Sequence, residues 1–303
     1  MNVRSDIVTV SVPGSTSNCG AGFDTLGLAV DLHNQVTVTR SEPGTAARPA
    51  RLEDGRAQTM VDAAAALFFQ ATNRTPFGFT FQIEGHVPPS RGLGSSVTVR
   101  AGVIAALDSL AGTGLARPQI VALVTTLEGH PDNAAASVLG GFCVARSDPA
   151  TGAYVDTVRF AVPAELALVT TSSRVEISTH ESRRTLPDRV PYFDAVRSIN
   201  SAAYLVAVMA GGDYDRLRHA VGDFMHEPYR LPGIPGGAAA IAAGVQAGAL
   251  TGWLSGSGSS VLCVCRRQLA ETVAGAMRGA FTADKLACES HVLAADNTGL
   301  RLI

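Results

Sequence analysis

The stretch Pro88-Pro89-Ser90-Arg91-Gly92-Leu93-Gly94-Ser95-Ser96 stands directly before an apolar helical pattern in this chain of 303 residues. Two glycines separated by one residue let the backbone turn without a Cβ penalty. The two serines that follow are typical helix caps, so we expect their hydroxyls to cap the helix and its amide N–H groups to point outward. Such a helix start attracts phosphate, because free N–H groups and the positive end of the helix dipole converge there.

The stretch matches neither of the two common phosphate loops. A P-loop requires GxxxxGK followed by Ser or Thr, and no Lys is present here. A dinucleotide fingerprint requires a third glycine where this chain has Val97. Taken alone, the pattern favours a simpler interpretation, a glycine turn before an ordinary capped helix.

The flanking segments favour an anion site. Phe77–Glu84 alternates large apolar with polar residues, as a half-buried strand does. After the loop, Val103, Ile104, Leu107 and Leu110 fall on one helical face. Strand, glycine loop and helix are the context that a phosphate site requires.

The rest of the chain changes pattern every ten to fifteen residues, which predicts an α+β protein in two sandwich-like layers. Ile7–Val12 is expected as a strand that ends at Pro13-Gly14. Tyr192–Ala210 and Asp215–Met225 are expected as helices, and residues 252–265 as a strand.

Composition narrows the class of partner. The net charge of −2 and the pI near 6.4 leave no basic surplus of the kind that nucleic-acid or anionic-membrane binding requires. Five cysteines without metal-ligand or disulfide spacing indicate reduced thiols, and Cys263 and Cys265 are expected in a core. The polar residues 1–6 predict no signal peptide, and no apolar run reaches membrane-spanning length. A cytoplasmic enzyme acting on a small molecule is therefore expected.

Two polar clusters could carry chemistry. The segment 15–24 contains Asn18 and Asp24 and is either a polar turn or a site where Asp24 pairs with a substrate ammonium. Glu128, His130 and Asp132-Asn133 form a second cluster between two helices. Capping explains Asp132 or Asn133, whereas a carboxylate near a triphosphate, here Glu128, can hold Mg²⁺. The spacing is unsuited to zinc.

Three further segments have both a simple and a functional interpretation. Residues 178–187 and His226-Glu227-Pro228-Tyr229-Arg230 place arginines beside turn residues. Such arginines are commonly just solvated, but a planar guanidinium also grips a carboxylate in bidentate fashion, which makes Arg183 and Arg230 candidates. The glycine-serine run 254–260 is either a flexible turn or a second loop that closes the site.

Together, five motifs in one order resemble those of the GHMP small-molecule kinases, and most closely those of the homoserine kinases. They are the Asn-x-Gly-x-Gly-Phe-Asp, Gly-Leu-Gly-Ser-Ser, Glu-Gly-His-x-Asp-Asn, Ser-Thr…Arg…Leu-Pro and His-x-Pro-Tyr-Arg stretches, at residues 18–24, 92–96, 128–133, 178–187 and 226–230. The resemblance spans nearly the whole chain.

The resemblance implies a two-domain GHMP kinase fold. Residues 1–158 would form an ATP-binding domain of the ribosomal S5 domain 2-like type, and residues 159–303 a ferredoxin-like domain. The implied reaction is phosphorylation of L-homoserine by ATP, with Mg²⁺, to O-phospho-L-homoserine and ADP in threonine biosynthesis. A homodimer is left open.

The resemblance also implies roles by position. Glu128, Asp132 and Asn133 would serve the chemistry, with Ser96 and Glu128 on Mg²⁺. The amino acid would contact Asn18, Asp24, His130, Asn133, Arg183 and Arg230. ATP would contact Pro89, Ser90, Arg91, Gly92, Leu93, Gly94, Ser95, Ser96, Val97 and Thr98.

The mechanism and the acceptor have alternatives. Phosphoryl transfer depends mainly on positioning and charge neutralisation, so transfer without a base is favoured over Asp132 acting as one. Val97-Thr98-Val99 replaces the small alanines common in the family, as Cys19 and Ala21 replace Leu and Pro. A kinase for another small alcohol and a non-catalytic nucleotide-binding module are therefore the competing hypotheses.

Overall fold

The computed structural model describes residues 6–41, 48–49, 55–175, 177, 179–220, 222–283 and 285–303. Residues 1–5, on which the prediction about a signal peptide partly depends, lie outside this range, as does Ser178 of the fourth motif. Across the described residues, the longest helices are too short or too polar to cross a bilayer.

Strands and helices are interspersed along the whole described chain. In order they are β1 (Ile7–Ser17), β2 (Leu26–Arg40), β3 (Arg48–Pro49), α1 (Gly55–Thr72), β4 (Phe79–Gly85), α2 (Ser95–Ala111), α3 (Arg117–Glu128), α4 (Asp132–Leu139), β5 (Phe142–Ser147), β6 (Tyr154–Phe160), β7 (Leu166–Ser173), α5 (Thr179–Arg184), α6 (Tyr192–Gly211), α7 (Glu227–Arg230), α8 (Gly237–Gln246), β8 (Thr251–Leu254), β9 (Ser260–Arg266), α9 (Ala270–Ala283), β10 (Cys288–Leu293) and β11 (Arg301–Leu302). This mixture is the expected α+β class.

The first sheet has the strand order β11-β1-β2-β4-β3, and β5 and β6 extend it from the start of β2. Its pairs are antiparallel except β3 with β4. The prediction that β1 ends at Pro13-Gly14 was wrong. The register shifts between Pro13 and Ser15, and this bulge accommodates the proline while pairing with β2 continues to Ser17.

Helices α1 to α4 pack on one face of the first sheet. Val36 and Val38 of β2 are fully buried there with Phe68 of α1 and Leu107 of α2. A Cβ on Gly102 would lie 2.5 Å from Cγ2 of Val36, so only glycine lets α2 approach β2 this closely. This close approach fixes the position of α2 over the sheet, and with it the position of the glycine-serine loop at the start of the helix.

The second sheet has the order β10-β7-β9-β8, and all its pairs are antiparallel. With α8 before β8 and α9 before β10, this is the ferredoxin-like order that the family resemblance implies. Cys263 and Cys265 are fully buried beneath α8 and α9, as expected. Leu168 and Leu262 face the other way and pack on Leu28 of β2, so one core joins the two sheets.

Two element predictions were wrong. Asp215–Met225 is not one helix, because a 3-10 turn ends at His219 and the carboxylate of Asp223 accepts the backbone N–H groups that begin α7 instead. The predicted strand 252–265 is two strands, β8 and β9, joined by the loop 255–259. The division into residues 1–158 and 159–303 falls inside β6 and stays a prediction.

Candidate active site

Three glycine-rich segments meet at one cleft. Gly256 N donates to Ser17 O (3.3 Å), Ser260 N donates to Arg91 O (3.1 Å), and Ser15 N donates to Leu93 O (3.1 Å). Segments that are far apart in sequence are thereby joined through their backbones. The cleft beside them has a volume of about 550 Å³.

The loop before α2 needs its glycines for contact as well as for conformation. Gly92 has φ 72° and Gly94 φ 71°, both left-handed. A Cβ on Gly92 would lie 2.0 Å from Ser255 O. Ser255 Oγ also donates to Gly92 O (2.7 Å), so the C-terminal loop lies directly against the phosphate loop. This proximity supports the interpretation of residues 254–260 as a closing loop.

The serines do not cap α2, contrary to the prediction from sequence. The N-cap is Gly94, and no side chain caps this helix. Ser95 Oγ instead donates to Val87 O (3.3 Å), and Ser96 Oγ donates to Glu128 Oε2 (3.2 Å). Both serines lie inside the first turn, because the left-handed glycine before them ends the loop one residue earlier than a serine cap would. The backbone N–H groups of this first turn have no acceptor within the helix, because they lie at its N-terminal end.

The Ser96–Glu128 pair is tied to α2 by an arginine. Arg100 Nη1 donates to Glu128 Oε1 (2.6 Å) and to Leu127 O (2.8 Å). Glu128 is the last residue of α3, and its carboxylate thus uses one oxygen for Arg100 and the other for Ser96. Nothing in the sequence motif predicted Arg100.

The hydroxyl oxygen of Ser96 and the Oε2 oxygen of Glu128 together suit a hard divalent cation. Adjacent corners of a Mg²⁺ octahedron are about 2.9 Å apart, close to the 3.2 Å between Ser96 Oγ and Glu128 Oε2. Asp24, His130 and Asp132 also converge within 4.8 Å. Asp24 is paired with Arg183 there, and His130 with Asp132, so this second cluster is less suited to a cation.

His130 and Asp132 form a buried ion pair at the start of α4. His130 Nδ1 donates to Asp132 Oδ1 (2.5 Å), which also accepts Asn133 N (2.8 Å). Burial alone would lower the pKa of His130, but the charge and hydrogen bond of Asp132 outweigh it and raise the pKa to about 9. Burial likewise opposes ionisation of Asp132, yet His130 and the Asn133 amide hold its pKa below the usual range. An imidazolium and a carboxylate are therefore present near neutral pH.

Two hydroxyls of β1 fix Asn133. Its Oδ1 accepts Ser15 Oγ (2.8 Å), and its Nδ2 donates to Ser17 Oγ (2.9 Å). Ser15 and Ser17 reach this point because β1 continues through its bulge. The amide orientation is consequently set by the first sheet, and Ser17 itself lines the cleft.

The loop after β1 presents Asp24. Asn18 Oδ1 accepts Asp24 N (3.0 Å), and Asn18 Nδ2 donates to Gly256 O (3.1 Å). Asn18 thus braces the loop against the second half of the chain. Arg183 Nη2 lies 2.6 Å from Asp24 Oδ1, and both side chains are about one third exposed (37% and 33%).

Arg230 is the most buried cation of the cleft, with 5% of its surface exposed. Its Nη1 makes one long bond to Gly256 O (3.4 Å), and its Nε is buried with no hydrogen-bond partner among the described residues. Burial, and then the nearby charge of Arg183, lower its pKa to about 10. An incompletely paired guanidinium that lines a cleft is suited to an anionic ligand.

The cleft includes most of the residues that the sequence predicted. Those that line it are Asn18, Asp24, Ser90, Arg91, Gly92, Gly94, Ser95, Ser96, Glu128, His130, Asp132, Asn133, Arg183 and Arg230. The predicted ATP contacts Leu93, Val97 and Thr98 have buried side chains, and Thr98 Oγ1 accepts Asn34 Nδ2 (2.8 Å). Pro89 is not among the lining residues either.

The sequence missed other lining residues, namely Ser17, Arg56, Ile177, Glu181, Gly256 and Ser257. Ser17, Gly256 and Ser257 belong to segments that were recognised by their glycines, so their place in a motif was the available signal. Glu181 lies in the motif at residues 178–187, so its place in a motif was also an available signal. Arg56 carries no such signal, because a charged residue near a helix start is common on any surface.

Two chemically distinct groups of residues line the cleft. One group is the α2 helix start with Ser96 and Glu128, a setting for phosphates and a cation. The other is one carboxylate, Asp24, with two guanidiniums, Arg183 and Arg230. His130 and Asn133 line the cleft with them. An anionic phosphate donor and a zwitterionic acceptor fit this arrangement together.

Known proteins are similar to this chain in sequence and in fold. A family model described as GHMP kinases N terminal domain matches residues 59–141, and one described as GHMP kinases C terminal matches residues 202–283. A homoserine kinase of Moorella thermoacetica is 37% identical over 97% of this chain and 99% of its own length. One of Prochlorococcus marinus is 34% identical over 96% of this chain and 94% of its own.

Solved structures of kinases have a similar fold. The crystal structure of homoserine kinase from Cytophaga hutchinsonii superposes with a TM-score of 0.88 at 26% identity, covering 100% of this chain and 99% of that one. Lactococcus lactis galactokinase complexed with galactose gives a TM-score of 0.73 over 98% of this chain and 95% of that one. At 13% identity the latter is a likeness of fold alone.

Proposed function

This chain belongs to the homoserine kinases of the GHMP kinase family, and on that premise we propose that its cleft transfers the γ-phosphate of ATP to the side-chain hydroxyl of L-homoserine. The products are O-phospho-L-homoserine and ADP, in threonine biosynthesis. The observation that supports this assignment is one cleft lined both by the α2 helix start and by Asp24, Arg183 and Arg230. A phosphate donor and an amino acid are the ligands that match those two groups of residues.

The amino acid would bind through ion pairs with charged side chains of the cleft. We assign its ammonium to Asp24 and its α-carboxylate to Arg183 and Arg230. The incomplete pairing of Arg230 supports this, because a bidentate carboxylate would satisfy donors that the protein leaves unused. Asn18 holds the loop that carries Asp24 in place, and His130 lines the same cleft.

The backbone of residues 92–96 and the first turn of α2 would hold the phosphates of ATP. Ser96 and Glu128 would hold Mg²⁺, whose chemistry is to neutralise phosphate charge and orient the γ-phosphate. Arg100 keeps the Glu128 carboxylate turned toward Ser96. Glu128→Gln should raise the Mg²⁺ concentration needed for half-maximal rate at least tenfold and leave the KM for L-homoserine unchanged.

We assign catalysis of phosphoryl transfer to the positioning of the two substrates and to the neutralisation of charge. Asn133, fixed by Ser15 and Ser17, would orient the acceptor hydroxyl toward the γ-phosphate. Asp132 is a weak base, because its pKa is held low and its Oδ1 accepts His130 and the Asn133 amide. The hydroxyl proton would then leave on the transferred phosphate or to water.

ADP release measured with L-homoserine, D-homoserine, L-serine and L-threonine tests the assignment. We expect saturable, Mg²⁺-dependent turnover with L-homoserine and at most a few per cent of its kcat/KM with the others. A clear preference for a different alcohol would transfer the proposal to that acceptor. Bound ATP with no turnover on any acceptor would instead support a non-catalytic nucleotide-binding module.

Three broader expectations rest on composition. We propose a cytoplasmic enzyme, because its five cysteines lack disulfide spacing. We also propose that it binds neither nucleic acid nor membranes, because its net charge of −2 leaves no basic surplus. A monomer and a homodimer are both kept as hypotheses. Sedimentation at several protein concentrations would decide between monomer and dimer.

A further inference from the structure

One aromatic ring contacts both of the candidate carboxylate-binding arginines. The Cζ atom of Arg183 lies 5.3 Å from the ring centroid of Phe23, and that of Arg230 lies 5.0 Å from it. The imidazole of His226 is also adjacent, with its centroid 5.2 Å away and a tilt of 32°. Phe23 immediately precedes Asp24, yet it comes from the first half of the chain and its partners from the second.

Backbone bonds fix the position of this ring. Gly22 N donates to Asn18 O (2.9 Å), and Leu26 N donates to Gly22 O (2.9 Å), so Phe23 lies in a closed turn. A Cβ on Gly22 would lie 2.2 Å from the Leu26 side chain, so glycine is required where that side chain packs on the turn. Asp24 has φ 53° and is held by Asn18. The ring therefore has a defined place between α5 and α7.

The partners on the far side are also constrained. His226 is fully buried, and its Nε2 lies 2.8 Å from Gly20 O. Because a carbonyl only accepts, Nε2 carries a proton. Burial lowers the pKa of His226, and its Nδ1 is buried without a partner among the described residues, so the ring against Phe23 is neutral near pH 7. Arg230 lies four residues further on, at the end of α7. The sole cations stacked against Phe23 within the described chain are thus the two guanidiniums.

The electrostatic balance of Arg230 indicates why a ring is placed there. Two like charges close together repel, and Arg230 pairs poorly with the protein through one long bond. Asp24 forms an ion pair with Arg183, whereas it acts on Arg230 only through its charge. The negative face of an aromatic ring attracts a guanidinium without satisfying its N–H groups, which stay available for a ligand.

We propose that Phe23 is a positioning residue, and that its ring holds Arg183 and Arg230 together as one site for the acceptor carboxylate. An aliphatic side chain of similar volume would fill the space but would not attract the cations. This inference rests on the assignment of the two arginines to the carboxylate of L-homoserine. It adds a determinant of affinity that makes no contact with the reacting atoms.

Steady-state kinetics of Phe23→Leu and Phe23→Tyr test the proposal. We expect Phe23→Leu to raise the KM for L-homoserine about tenfold while kcat and the KM for ATP stay within about twofold. Phe23→Tyr keeps the ring and should remain close to the parent enzyme. Phe77→Leu is the matched control, because Phe77 also stacks on an arginine, Arg40 at 4.0 Å, away from the cleft.

A double-mutant cycle separates positioning from general damage. Once Arg230→Leu has removed one guanidinium, adding Phe23→Leu should change the KM for L-homoserine by clearly less than it does alone. Equal effects in both backgrounds would overturn the proposal, as would an unchanged KM in Phe23→Leu. Calorimetric titration with L-homoserine gives the same comparison without turnover.

The two levels of inference fail differently. If Arg230→Leu leaves the KM for L-homoserine unchanged, the carboxylate assignment itself is wrong. If Arg230→Leu raises it and Phe23→Leu does not, only the role of Phe23 is wrong. A parallel rise in the KM for ATP and loss of thermal stability in Phe23→Leu would reduce the ring to a packing role and would also overturn the proposal.

Discussion

Arg183 Nη2 lies 2.6 Å from Asp24 Oδ1, so α5 of the second half is joined to the loop after β1, and both residues line the cleft. The pair has the charges of the proposed amino-acid ligand, one cation and one anion. A zwitterion that enters can replace both partners at once, its ammonium taking Asp24 and its carboxylate taking Arg183. Because a charge exchange of this kind leaves no ion unpaired, the resting pair is compatible with binding.

Asp24→Asn should weaken binding of the acceptor specifically. We expect at least a tenfold higher KM for L-homoserine, because the ammonium loses its counterion, and an unchanged KM for ATP. Since both partners are about one third exposed, the pair contributes only about 0–1 kcal/mol to stability, and the melting temperature should hardly move. An unchanged KM for L-homoserine would contradict the assignment of Asp24.

Asp132→Asn separates charge from base catalysis. We expect the fold to lose stability, because the buried imidazolium of His130 loses its partner. Measured on the folded fraction, kcat should fall by less than about a hundredfold, below the usual range for loss of a general base. A collapse of kcat with intact fold and substrate affinity would show that Asp132 is the base.

Gly92→Ala should damage the phosphate loop through contact. A Cβ there would lie 2.0 Å from Ser255 O, so both glycine loops must move, and the KM for ATP should rise at least tenfold. Gly114→Ala is the control, since Gly114 has a matching φ of +71° with nothing within 4 Å of the added Cβ. It should cost about 1 kcal/mol through backbone strain alone and leave kinetics unchanged. Equal kinetic effects of the two changes would refute the contact argument.

Arg100→Leu should alter the choice of cation. With Oε1 of Glu128 held by Arg100, the carboxylate offers one oxygen, which suits Mg²⁺ better than Ca²⁺ because Ca²⁺ accepts bidentate carboxylates. Freeing that oxygen should lower the Mg²⁺ over Ca²⁺ preference about tenfold, measured by calorimetry with a non-hydrolysable ATP analogue. Arg216→Leu, which removes an exposed arginine paired with Asp213, is the control. An unaltered ratio would rule out a role for Arg100 in cation choice.

Glu227→Gln should change how stability depends on pH. Burial raises the pKa of Glu227 to about 7, so the folded state keeps its proton while the unfolded chain loses it near 4.5. The parent protein should therefore lose at most about 3 kcal/mol as the pH rises from 4.5 to 7, and the variant should lack that decline. The amide can still accept Leu254 N, as Glu227 Oε1 does at 2.6 Å. Parallel unfolding curves across this pH range would contradict the prediction.

Local patterns were reliable where the chain determines its own conformation. The strand before the glycine loop, the loop and α2 follow from alternation, glycine content and helical period, and the structure has them at β4 and Ser95–Ala111. The α+β class and membership of the GHMP kinases are confirmed. One error arose where a distant partner decides, at the bulge in β1, which pairs with β2. Another arose where a nearby side chain competes with the helix backbone, because Asp223 accepts the N–H groups of His226 and Glu227.

The candidate site shows the same division. Asn18, Asp24, Glu128, His130, Asn133, Arg183 and Arg230 were identified by residue type and motif position, and all line one cleft. Arg100 and Phe23 were not assigned a role, because an arginine inside a helix and an aromatic after a glycine have many ordinary uses. Their functions depend on which side chains of other segments lie opposite them.

The sequence by itself therefore determined the fold class, the family and the types of charge available for catalysis, since these follow from local periodicity and from motif residues. Only the tertiary structure decided how those charges are paired. It joins Asp24 to Arg183, leaves Arg230 with one long bond, and fixes Glu128 through Arg100. The physical reason is that electrostatic interactions depend on separation and burial, and neither is encoded at any single position of the chain.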